Sequence, residues 1–198
     1  MITSLLAFAL AGAVLIVLPG PDTMLMLRAI SVSGRLGGVR TAAGILTGLT
    51  VWIASAAIGL AALLKASEVG YTALRIVGGI YLVTIGIQAL RSRGALDRKG
   101  ILGTGYTAGL ACNLFNPKVG VFFVTFLPGF VPSGSDVGST SLLFGGVFLL
   151  ESIAYFALLL FAVHRLTSWL RSDVVRRRIE RASGVVLIGF GIRLATES

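Results

Sequence analysis

The chain has 198 residues, of which 56% are hydrophobic and only 13% charged. A soluble domain carries about 25% charged residues, so this composition excludes one and describes an integral membrane protein. The formal net charge is +9, which in a soluble protein would point to nucleic acid; here it reflects basic loops on the cytoplasmic side of a membrane.

The first apolar segment is expected over residues 2–27, interrupted at Pro19-Gly20-Pro21-Asp22. It has no Lys or Arg before Arg28, unlike a cleaved signal peptide with its basic start, and reads as a retained span. Arg28, Arg35 and Arg40 follow in an expected Gly/Ser-containing loop. Segment two (41–64) carries no charge and is long enough for a hydrocarbon core of about 30 Å. Segment three is expected over 71–90, with Arg75 near its start as an interfacial anchor. Arg91, Arg93, Arg98 and Lys99 occupy the next loop.

Segment four (107–130) is interrupted at Asn116-Pro117-Lys118. Proline lacks an N–H and clashes with the carbonyl one turn back, so it breaks a helix. A lysine at membrane depth costs about 2.5–3.5 kcal/mol on insertion scales. A segment that only anchors would carry neither. Irregular backbone at that depth is tolerated where it is buried in protein or lines a wet cavity, and paired broken spans in two halves mark transporter binding sites. A loop at 131–140 without basic residues leads into segment five (141–163), which contains Glu151. His164 and Trp169 sit at its expected cytoplasmic end. Arg165, Arg171, Arg176, Arg177, Arg178 and Arg181 precede a short segment six (182–195) that carries Arg193.

The basic loops therefore fall after segments one, three and five, which places them in the cytoplasm and both termini outside. The expected fold is all-α: six transmembrane helices forming one transporter domain (1–198), built as two inverted three-helix repeats (about 1–95 and 100–198). Helices one and four are broken at their proline motifs. Gly44 and Gly48, and Gly105 and Gly109, have the small-xxx-small spacing that lets helices approach closely. Trp52 is expected in the core.

Asp22 and Lys118 place one charge of each sign in the two breaks, facing each other or a solute. Half-helix ends add partial charges of both signs, so an amino acid, with its carboxylate and ammonium, suits the site. Glu151, alone in an apolar stretch, is the residue expected to carry a proton, with Asp22 as the other candidate. Tyr155 lies one helical turn on and shares its face. Cys112 has no second cysteine to pair with and reads as buried and inert. A structural reading makes Asp22 a helix-start residue, Lys118 a snorkelling side chain and Glu151 the partner of an arginine.

The motifs Leu18-Pro19-Gly20-Pro21-Asp22, Gly34-Arg35-Leu36-Gly37-Gly38 and Asn113-Leu114-Phe115-Asn116-Pro117-Lys118, followed by Phe126-Leu127-Pro128-Gly129-Phe130, resemble those of the LysE/RhtB amino-acid exporters. The resemblance covers nearly the whole chain. It implies proton-driven export of amino acids or close derivatives, with the two helix-break motifs falling on Gly20, Pro21, Asn116, Pro117 and Lys118, and Asn113 preceding the second. Many relatives have Gln where this chain has Gly129. The resemblance implies no cofactor and no nucleic-acid partner; lipid, protons and a small solute are the expected partners, and a homodimer is allowed. Export of a metal cation, an intramembrane enzyme and a non-transporting assembly protein are the competing readings. One Cys and one His make a poor metal site, and no His-Glu-x-x-His motif is present.

Overall fold

The computed structural model describes residues 1–18, 20–66 and 103–170, with isolated positions within 69–87 and 178–192. Pro19 and most of the expected third and sixth segments, Arg75 and Arg193 included, lie outside the described residues, as do the side chains of 60–66 and 163–170, including His164 and Trp169. The described residues are helical, without strands.

Helix α1 (Ile2–Val17) ends where Leu18 turns extended. The chain restarts at once as α2 (Pro21–Ala66), with Asp22 in its first turn. Proline is well placed there: a first-turn residue has no intrahelical partner for its N–H, and its fixed φ suits the helix. The expected loop around Arg28 to Arg40 is instead helical, interrupted at Gly34, whose φ of 66° is one that glycine adopts without steric penalty. At Gly34 the chain folds back. Met26 and Ile30 of the first arm pack with Ala42 and Ile45 of the second, and Phe156 and Leu159 complete that cluster.

The second half repeats this order of elements. Gly105 (φ 111°) opens α3 (Tyr106–Leu114). After Phe115 and Asn116 the chain restarts as α4 (Pro117–Val121), again with proline at the start. It continues as a π-turn, Phe122–Phe126, and a 3-10 turn, Leu127–Phe130. A turn containing Gly134 (φ 81°) leads to α5 (Val137–Leu170). This helix begins earlier than the sequence suggests because Asp136 accepts the Ser139 backbone N–H at 2.8 Å, a side-chain cap that satisfies an orphan donor. Its 34 residues make about 51 Å at 1.5 Å per residue, ample to cross a bilayer.

Further contacts join the described helices of the two halves. Gly44 and Gly109 sit where the backbones of α2 and α3 meet: a Cβ on Gly44 would strike the Tyr106 carbonyl, and one on Gly109 the Thr41 carbonyl. The small-xxx-small expectation is met at Gly44, Gly48 and Gly109 but not at Gly105, which has nothing within 4 Å of where its Cβ would stand. On the other side, Phe8, Phe122, Phe123, Phe144 and Phe148 form an aromatic core with ring centroids 4.9–5.6 Å apart. The bilayer is itself apolar, so close packing of this kind rather than water exclusion holds such helices together.

Candidate functional site

The two helix breaks meet and complete each other. The end of α1 has no basic residue in its last turn, and the last carbonyls of a helix have no partner within it. Lys118 crosses from the second break and donates its ammonium to the Leu15 and Leu18 carbonyls, at 2.5 and 2.8 Å. A cation is favoured at a helix C-terminus by the helix dipole. In return, Asp22 of the first break accepts at Oδ2 from Asn113 Nδ2 (2.9 Å) and Asn116 Nδ2 (3.0 Å). Both are charge-assisted bonds, roughly twice as strong as neutral ones.

Asn116 has a second task. Its Oδ1 accepts the Lys118 backbone N–H at 3.1 Å and so caps α4. With one end of the amide on the cap and the other on Asp22, the side chain has a single satisfactory orientation. Asn113 is held by its neighbours: it is buried, its carbonyl accepts Trp52 Nε1 at 3.3 Å, and Gly48 leaves the room it fills.

Between the breaks lies a cavity of about 40 Å³, room for a few waters at about 10–15 Å³ each. Gly20, Asp22, Asn113, Asn116 and Lys118 line it. Gly20 keeps the approach to the Lys118 ammonium open, since a Cβ there would stand 3.5 Å from Nζ. Asp22 Oδ1 is buried and has no hydrogen-bond partner. From α5, Phe148, Ser152, Tyr155 and Phe156 form one wall, and Ile45 and Leu49 of α2 another.

Of the residues singled out in the sequence, Gly20, Asp22, Asn113, Asn116, Lys118 and Tyr155 come together at this cavity, and Pro21 and Pro117 start the helices that present them. Asp22 and Lys118 share the cavity, but their hydrogen bonds go to the opposite break rather than to one another. Glu151 stands apart. It is one residue before Ser152 but is not in the lining; its Oε2 is buried without a partner beside Gly12 of α1. Cys112 neighbours the Asp22 carboxylate and is only half-buried, so it is less secluded than its apolar surroundings suggest. Sequence reasoning missed Thr23, whose hydroxyl pairs with Tyr155 at 3.4 Å, and Gly12. Thr23 was detectable as the residue after Asp22 in the first turn of α2. Nothing local marks Gly12, whose role depends on a helix far along the chain.

The chain matches the LysE type translocator family over residues 13–198. It is 30% identical to an uncharacterised membrane protein of Pseudomonas aeruginosa (98% of this chain, 96% of that one). It is 25% identical to another of Bacillus subtilis (96% and 97%). It is also 27% identical to a leucine efflux protein of Salmonella typhimurium (94% and 92%). No solved structure matches it.

Proposed function

The chain belongs to the LysE type translocator family, a membrane-embedded transporter and not an enzyme, and from that premise we propose that it exports amino acids or close derivatives across the cytoplasmic membrane. One observation carries the proposal: the two breaks lock crosswise around a cavity that offers an unpartnered carboxylate oxygen and an ammonium. A zwitterion matches both. Its ammonium would take Asp22 Oδ1. Its carboxylate would take the remaining N–H of Lys118, whose other two protons serve the α1 carbonyls. The leucine efflux relatives favour the same class of solute.

In this reading the spans form two inverted three-helix repeats with both termini outside, and the repeats rock about the cavity to open it to each side in turn. The cavity is smaller than an amino acid, so its walls must part for loading. Proton coupling falls to Glu151 and Asp22, whose unpartnered oxygens are free to take up and release a proton.

The test is uptake of labelled amino acids into inverted vesicles, with the proton gradient intact or collapsed. Gradient-dependent accumulation is expected. A Glu151→Gln protein should retain exchange down a concentration gradient and lose accumulation against it; normal accumulation would remove Glu151 from the coupling role. In a Cys112→Ser background, Ser135→Cys should react with an impermeant thiol reagent added from outside, and protection there would reverse the orientation.

A further inference from the structure

We propose that the solute of this cavity is an amino acid with an uncharged, aliphatic side chain. The inference rests on the export reading and narrows it. Among the described lining residues the charged ones are Asp22 and Lys118, and a zwitterion's own ammonium and carboxylate occupy both. A charged side chain would then enter with no counter-charge left among the described lining residues, and an unpaired charge out of water is strongly disfavoured. Glu151, the nearest other acid along α5, is turned to Gly12 rather than into the cavity.

The lining hydroxyls are already engaged. Ser152 Oγ donates to the Phe148 carbonyl at 2.8 Å, and Thr23 pairs with Tyr155. Among the described lining residues a polar side chain would find the spare capacity of the Thr23–Tyr155 pair, and the unpartnered Asn113 Oδ1, which is packed against Gly48. The remaining walls, among them Ile16, Ile45, Leu49, Val119 and Phe156, are apolar and offer dispersion contact to methyl and methylene groups. Small changes in such a pocket discriminate by about 10–200-fold per methylene, so Ile45 and Leu49 are the residues placed to set side-chain size.

The experiment measures uptake of labelled leucine, lysine and glutamate into inverted vesicles, singly and in competition. Leucine should be carried, and lysine and glutamate should compete on the order of a hundredfold more weakly, the factor expected for an unmatched charge in the membrane interior. Lysine or glutamate carried as well as leucine overturns this inference and leaves the export reading standing. No uptake of any amino acid overturns the export reading, and this inference with it. Leu49→Ala should shift the ranking toward larger apolar side chains; an unchanged ranking in a well-expressed protein overturns the placement of the solute's side chain against that wall. The panel on the unmodified protein decides the main claim without any variant.

Discussion

The first and second helix breaks have the same order of elements and opposite chemistry. Each is a short helix, an extended residue or two, and a restart on proline. The first contributes bare carbonyls and a carboxylate; the second contributes two amides and an ammonium. Neither is satisfied by its own half. An unpaired carbonyl or carboxylate in an apolar surrounding costs several kcal/mol, so the complementarity does two things at once. It makes each half the cap of the other, and it gathers opposite charges at one place without joining them in a salt bridge, which would leave nothing for a solute.

The hardest test of that comparison is to remove the ammonium. Lys118→Ala deletes two hydrogen bonds from a charged donor, each worth about 1.5–3 kcal/mol, and leaves the end of α1 uncapped. It should abolish uptake and lower the unfolding free energy in detergent by about 3 kcal/mol or more. Asp22→Asn separates the two tasks. The amide oxygen can still accept from Asn113 and Asn116 while its NH₂ group takes the place of the partnerless Oδ1. The lost charge assistance should cost only about 1–2 kcal/mol, but uptake should fall at least about tenfold. An Asp22→Asn protein that transports normally would show that the carboxylate only braces the fold.

The two amides refine the same point. Asn113 and Asn116 make equivalent bonds to Asp22, but Asn116 alone also caps α4. Asn116→Ala should therefore be more destabilising than Asn113→Ala by about 1 kcal/mol, the usual worth of a helix cap. Equal effects, measured by thermal unfolding in detergent, would mean that the start of α4 is held by packing and not by the cap.

Much of this was legible in residues that carry an obvious penalty. Pro21, Asp22, Pro117 and Lys118 are each unfavourable in an uninterrupted apolar helix, so they announced both the breaks and the site. What they could not announce is the crosswise pairing, because the acceptors for Lys118 are backbone carbonyls of Leu15 and Leu18, and every residue has a carbonyl. The stretch around Gly34 misled for a related reason. Its glycines, serines and arginines have the composition of a loop, yet the helix needs only one residue at positive φ to turn, and both arms can then pack against α5, Met26 and Ile30 of one and Ala42 and Ile45 of the other meeting Phe156 and Leu159. Glu151 was legible as an unusual residue but not as one held outside the cavity lining, since its position depends on Gly12 from the other end of the fold.

Glycines extend the comparison to the spans that follow each break, with smaller effects. In the first half Gly44 meets backbone, which cannot move aside. In the second, Gly145 meets the Ile53 side chain, with a Cβ there 2.5 Å from Cγ2, and a side chain can partly yield. Adjacent Gly146 has no atom within 4 Å of where its Cβ would stand. Gly44→Ala should therefore be the most damaging, separating α2 from α3. Gly145→Ala should cost about 1–3 kcal/mol, as overpacking does. Gly146→Ala should be neutral or stabilising by up to about 1 kcal/mol, because alanine restricts the unfolded chain more than glycine does. Unfolding in detergent ranks the three directly. If Gly145→Ala proved as harmless as Gly146→Ala, the second span would not be packed tightly enough against Ile53 to transmit a movement of α2, and the rocking proposed above would need a different contact surface.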